Sequence, residues 1–431
     1  MSYQKLSEPI HFLGSLKANR SETPLTFQVH INPYGEIEID FDKIVVTKKN
    51  SFIQDYLFNF GEFSLTGKAD DGTELSIERL SLNGEVNLDR TISLKVSRCP
   101  EIRFIRKLDT PRDSILRWLK GFRSDPACPL EQKCQLGTII IGECQFNDSN
   151  EISGFIKVEI NEEQLDSSDW HEQANKLLDH VIGVMSFAIG MSIKTPIIEN
   201  YAGDNLEIMV FSKAGKTAVS NIPVFSYIDR KSIFNTAVTS FFTPPFPVKN
   251  LLSTIEWFVM DSSIYEVRLI HAFTALENII ASNLEESENS KLFLPPDEFK
   301  KLIKDMKIGI KQSLIDNNIS MEDQERGKMY AKLMDVNRRS LVENLNTLAN
   351  RWSVSLEGIS KENIKDAVKV RNSIVHTGSY NKENDSNIKI NHFWVIREIV
   401  IRFIFTAIGY KGNYISHLGN FHTSQYPPKI L

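Results

Sequence analysis

Residues 241 to 247 read Phe241-Phe242-Thr243-Pro244-Pro245-Phe246-Pro247. Three prolines in four positions end regular structure and hold the backbone extended. Proline lacks the N–H that a helix or a strand ladder needs, and it bars the preceding residue from the helical region. Before this break, apolar residues recur at every second position. After it they recur at every third or fourth. The fold class follows from that change of period: an α+β chain with a β-rich antiparallel front half and an all-α back half.

Working outward toward the start, the alternation comes as hairpins. Phe27, Val29 and Ile31 alternate, Asn32-Pro33-Tyr34-Gly35 turns the chain, and Ile37, Ile39 and Phe41 alternate back. Proline second and glycine fourth suit a type I turn. Phe63 and Leu65 lead through Asp70-Asp71-Gly72 to Leu75 and Ile77, and Ile139–Phe146 returns through Asn147-Asp148-Ser149-Asn150 to Ile152–Ile160. Hairpins at this spacing imply an antiparallel sheet or sandwich. One helix interrupts them from about Ser168 to Gly190, with Leu177, Leu178, Val181, Ile182 and Met185 as its apolar stripe.

Toward the end of the chain, Leu269, Ala272, Phe273, Leu276 and Ile280 form a clean helical stripe between about Ser262 and Ser282. An acidic, Ser-rich loop follows from Asn283 to Pro296. Helices are then expected over Glu298–Gln312, Met321–Arg351, Ser360–His376 and Asn391–Ile408. The domain division is therefore 1–240, a Pro-rich linker 241–250, and a helical domain 251–431.

Of the 431 residues, 41% are hydrophobic and 26 are Phe, enough to build real cores and exclude general disorder. The net charge of −5 excludes a uniformly basic nucleic-acid coat, so any contact with RNA must use a local patch. The opening residues carry no basic segment followed by an apolar one, and the longest apolar run, Val181–Met191, is far short of the ~20 residues a membrane span needs. A soluble, cytoplasmic protein is expected. Cys99, Cys128, Cys134 and Cys144 fit no disulfide framework or zinc knuckle and read as reduced thiols. Walker A, G-x-G-x-x-G, H-E-x-x-H and G-x-S-x-G signatures are absent, and the histidines have no partners at metal-ligand spacing, so neither cofactor nor metal is expected.

One constellation stands apart, Arg371-Asn372-Ser373-Ile374-Val375-His376-Thr377-Gly378. With Ser360 as N-cap, Ile364, Val368, Arg371 and Val375 fall on one stripe, so a guanidinium sits on the face expected to be buried. That is costly unless it is paired or lies at a wet cleft. Asn372 and His376 share another flank, and Gly378 marks the helix end. Arg371 and His376 diverge by about 140° on an ideal helix. They meet at one phosphate only if the helix end distorts or a second subunit completes the site. The plainer alternative pairs Arg371 with an internal carboxylate such as Glu277 and leaves His376 incidental.

Arg371-Asn372-x-x-x-His376 at the end of a C-terminal helical domain resembles the signature of HEPN ribonuclease domains. Arg268–Ile280, with Glu277, is similar to the leading helix of the Apea-type branch, and the layout resembles the ApeA-like bacterial anti-phage proteins. The motif resemblance covers roughly 251–410; over 1–240 it is one of architecture and length. It implies a metal-independent RNA endonuclease that needs no cofactor and works as a homodimer with the motif helices face to face. It makes Arg371 and His376 catalytic, Asn372 the accompanying polar residue, and Glu277 a supporting carboxylate. It further implies a toxin-like effector of abortive infection whose front half senses a phage-derived trigger. The alternatives are a non-catalytic HEPN module that binds RNA or a partner, and an interaction protein without an RNA role. A homodimer is also expected from the last helix, where Val395, Ile399 and Phe403 oppose Ile404, Phe405 and Ile408.

Overall fold

The structure, a computed structural model, describes residues 7–47, 50–58, 61–123, 129–144, 148, 150–160, 169–212, 222–226, 229–284, 291–378 and 386–428. The chain forms two compact units, Met1–Thr243 and Pro244–Leu431, and the division falls at the prolines.

The first unit is built on one 14-stranded sheet whose neighbouring strands all pair antiparallel. Its strands are β1 (Ile10–Ala18), β2 (Ser21–Ile31), β3 (Ile37–Phe41), β4 (Ile44–Val45), β5 (Glu62–Lys68), β6 (Glu74–Val86), β7 (Thr91–Arg98), β8 (Glu101–Lys107), β9 (Ser114–Lys120), β10 (Leu130–Cys134), β11 (Gly137–Glu143), β12 (Ile152–Glu159), β13 (Lys194–Ala202) and β14 (Asn205–Phe211). A short helix, α1 (Phe52–Phe58), lies between β4 and β5. The expected hairpins are β2–β3, β5–β6 and β11–β12. Phe146, Asn147 and Ser149 of the third lie outside the described residues.

Period-2 alternation turns Phe12, Leu16, Phe27, Val29, Phe63, Leu65, Leu75, Ile77 and Phe104 into one shared core. Each such side chain contributes about 1.5–3 kcal/mol on burial. The interrupting helix α2 (Trp170–Ile189) lays its stripe on β9 and β12, and α3 (Arg230–Phe242) packs beside it. Cys99 is buried, and burial pushes its thiol up to about 12; the half-buried Cys134 and Cys144 thiols are raised for the same reason. All three are free, and all are poor thiolates. Cys128 lies outside the described residues.

The second unit holds α4 (Leu251–Val259), α5 (Tyr265–Asn283), α6 (Pro296–Asp316), α7 (Asp323–Leu333), α8 (Leu341–Trp352), α9 (Lys361–Thr377) and α10 (Ser386–Ile408), followed by a hairpin of β15 (Gly412–Ser416) and β16 (His422–Tyr426). Helix α5 is central and touches α4, α8, α9 and α10. Its expected stripe, Leu269 to Ile280, is buried. The single helix expected over Met321–Arg351 is instead α7, a 3₁₀ turn at Met334–Asn337, and α8. The break occurs because Ser340 and Glu343 form a capping box that starts a new helix: Ser340 Oγ accepts from Glu343 N–H while Glu343 accepts from Ser340 N–H.

Helices α6 and α7 form an arm clasped at its base. Asn337, nearly fully buried, accepts from Leu294 N–H and donates to Leu294 O, both at 2.9 Å, and Phe293 N–H donates to Asn337 O. Among the described residues α6 buries only Phe299 and Ile303, and α7 none.

The hairpin was not part of the expected layout, and it overturns one inference. Both flanks of α10 are buried within a single chain. Phe403 packs on Trp352 of α8, with ring centroids 6.0 Å apart. Phe405 meets Tyr410, Tyr414 and Tyr426 at 4.8, 5.0 and 5.3 Å. The two-sided apolar surface of α10 therefore gives no reason to expect a dimer. Glu398 anchors the hairpin: this buried carboxylate accepts from Arg402 Nε at 2.9 Å, Ser416 Oγ at 2.9 Å and the Tyr414 hydroxyl. Arg402 also donates to Ser355 O and Glu357 O.

Candidate functional site

Helix α9 carries the motif, and its ends are set by local chemistry. Ser360 Oγ accepts from Asn363 N–H at 3.1 Å while Asn363 Oδ1 accepts from Ser360 N–H at 3.3 Å, which closes the N-terminus. At the other end Gly378, at φ 72°, takes the left-handed conformation, and its N–H donates to Ile374 O at 2.8 Å. The helix is thus regular through Thr377, so its end does not bend His376 toward Arg371.

Ile364, Ala367 and Ile374 are buried against α5 and α10, and Arg371 lies half-buried beside them. Val375, expected to be buried on that stripe, is 55% exposed because the packing ends before the last turn.

Arg371 reaches α5. Its Nη2 donates to both Glu277 oxygens, at 2.9 and 3.2 Å, and its Nη1 donates to Asn372 Oδ1 at 3.2 Å. The two charged side chains remain 30% and 39% exposed, so the pair is wet rather than sealed. Two of the five guanidinium donors lie beyond these three bonds. The structure therefore brings Arg371, Asn372 and Glu277 together. His376 is exposed one turn beyond Asn372 and about 140° around the helix from Arg371, so within one chain it is turned away from the guanidinium.

The exposed face of α9 holds a feature that the motif reading misses. Lys361, Lys365, Lys369, Asn372 and His376 are all exposed. At 100° per residue they fall within about 80° of arc, along about 22 Å of helix. The lysines repeat at i, i+4 and i+8, a spacing that costs a helix roughly 0.2–0.5 kcal/mol per like-charged pair. Lys361 also opens the helix, where the dipole disfavours a cation. Lys369 pairs with Asp366 at 2.9 Å, an exposed contact of small worth. The signal was in the sequence as this spacing continued into Asn372 and His376. On α10, His392 lies near Asp366; burial holds its pKa below the usual histidine range, against the pull of that carboxylate.

Among the described residues, no group of three His, Cys, Asp or Glu side chains is placed to hold a metal ion, and no helix is long and apolar enough to cross a membrane. Comparison with models of known protein families, with curated proteins and with solved structures gives no match.

Proposed function

We propose that the helical unit is a metal-independent RNA endonuclease of HEPN type. It acts in the cytoplasm as the effector of bacterial abortive-infection defence against phage, and the β-rich unit senses the trigger or restrains the nuclease. The observation that carries this reading is Arg371, held by Glu277 and Asn372 on a half-open helix face with donors to spare. The pair is 30% and 39% exposed, so the guanidinium is open to a phosphate from solvent.

Cleavage by the RNA's own 2′-hydroxyl needs a proton acceptor, a proton donor and a cation on the phosphorane. His376 takes the 2′-hydroxyl proton as the 2′-oxygen bonds to phosphorus, the P–O5′ bond breaks, and the imidazolium returns that proton to the leaving 5′-oxygen. His376 performs the proton transfer and Arg371 stabilises the charge on the non-bridging oxygens. Glu277 and Asn372 keep the guanidinium in place. Because α9 is straight, Arg371 meets the His376 of a second protomer, so the active form is a homodimer. The exposed Val375, on the Arg371 stripe, belongs to the contact between protomers.

The test is incubation of the purified protein with RNA in EDTA, followed by sequencing of the ends. Products bearing 2′,3′-cyclic phosphate and 5′-hydroxyl support the reading, whereas magnesium-dependent cleavage leaving 5′-phosphates refutes it. The separation of Arg371 from His376 within one chain favours a second reading, a non-catalytic HEPN module that binds RNA or a partner. Under that reading, removing the histidine alone changes little.

A further inference from the structure

We propose that the exposed stripe of α9, Lys361, Lys365 and Lys369 continuing into Asn372 and His376, is a track for the phosphates of single-stranded RNA that leads the strand to His376. The inference rests on the ribonuclease reading and adds the residues that position the substrate.

Three observations carry it. The stripe is single-file and exposed along its length, and it ends on the proposed proton-transfer residue. Its charges are arranged against the helix's own stability, with lysines at i, i+4 and i+8 and a cation at the first helical position. A face selected only for solubility would alternate signs. The negative side chains of this helix, Glu362 and Asp366, lie to one side of the stripe, where Asp366 engages Lys369 at 2.9 Å and leaves Lys361 and Lys365 to face a polyanion. Arg371 lies on the other side, about 140° from His376. In a two-fold dimer each stripe would deliver RNA to its own His376, where the other protomer's Arg371 would receive the phosphate.

A single strand releases counterions so that log K falls with log salt by about 0.7 per phosphate neutralised. Three lysines therefore account for a slope of about −2, or roughly 20-fold in affinity between 50 and 200 mM salt.

The experiment measures binding of a fluorescein-labelled oligouridylate to the full chain carrying His376→Ala, which leaves the RNA uncut, with and without Lys361→Gln, Lys365→Gln and Lys369→Gln. The expected result is a slope shallower by about 2 in the glutamine variant, with a melting temperature no lower than that of the parent and an unchanged oligomeric state. Arginine at the same three positions should restore the slope. In the catalytically intact chain, the glutamine changes should raise KM for RNA far more than they lower kcat. Equal slopes for both proteins, or arginine substitutions as damaging as glutamine, overturn the proposal. So does lysine-dependent binding to phosphatidylserine vesicles without binding to RNA. If the intact chain cleaves RNA while the slopes coincide, the track fails and the nuclease stands. If it cleaves nothing while the slopes differ, the track stands and the nuclease fails.

Discussion

Replacing His376 and Arg371 separately should divide chemistry from stability. His376 is exposed in the last turn of α9, so His376→Ala removes little packing. Surface changes of this kind stay within about 0.5 kcal/mol, less than about 2 °C in Tm for a unit of this size. Losing proton transfer should nonetheless cost 10²–10⁴-fold in cleavage rate. Arg371→Ala differs in kind. It removes both bonds to Glu277 and the bond to Asn372. With the pair 30% and 39% exposed, the stranded carboxylate rehydrates, so the expected loss is about 1 kcal/mol, near the top of the exposed-pair range and well below that of a sealed one. That corresponds to about 2–4 °C. Glu277→Gln should give a similar thermal loss, and in the double variant the two losses should not add, leaving a coupling energy of about 1 kcal/mol. The assay pairs cleavage of labelled RNA with thermal melting for each variant. If His376→Ala cleaves at near wild-type rate, the ribonuclease reading is refuted. If the losses for Arg371 and Glu277 simply add, the pair does not hold the guanidinium as described.

Glu398→Ala should be far more damaging, since it strands Arg402, which is only 7% exposed; a loss of about 3–5 kcal/mol, or roughly 6–20 °C, should appear in the melting of the helical unit. Acid should weaken the β-rich unit through His180, which lies 3.0 Å from Ser240 and whose pKa burial lowers to about 4. Above its ordinary pKa of about 6.5 the imidazole is neutral in both states, and between there and 4 the unfolded chain takes the proton first. Stability should therefore fall by about 2 kcal/mol by pH 5, and His180→Gln should flatten that part of a denaturation-versus-pH curve. Light scattering at micromolar concentration should show a dimer that Val375→Asp dissociates, whereas a wild-type monomer near 49.2 kDa would defeat the composite site.

The readable parts of the sequence were those in which turn chemistry and periodicity agree. Asn32–Gly35 and Asp70–Gly72 fixed two hairpins because their glycines sit at φ 75° and 83° between alternating strands. Strand β9 escaped notice because it does not alternate. Ser114, Ile115, Arg117, Trp118, Leu119 and Lys120 are all buried, and the two Arg117 Nη atoms donate to Asp179 and Asn175 on α2 while its Nε has no partner. The C-terminal hairpin is mostly polar and holds on through Tyr414 and Tyr426, which no local pattern announces. The α7–α8 break was readable, since Ser340-Leu341-Val342-Glu343 is a capping-box spacing inside a supposed helix. At the site, Arg371, Asn372 and His376 were legible as a spacing, and Glu277 as the internal carboxylate that a guanidinium on an apolar stripe would need. That Arg371 meets Glu277 and leaves His376 outside depends on how α5 crosses α9, which is tertiary information.

The arm formed by α6 and α7 has a consequence for how the chain can be cut and extended. It is fastened chiefly through Asn337 and the Leu292–Arg338 bridge, and it adds only two side chains to the bundle's interior. The bundle closes around α5, α8, α9 and α10 without needing the arm's tip. A protease should therefore nick the exposed 317–321 turn before it attacks the core, leaving two fragments that stay associated. The same turn is where a reporter domain could be inserted without unravelling the helices that carry the motif.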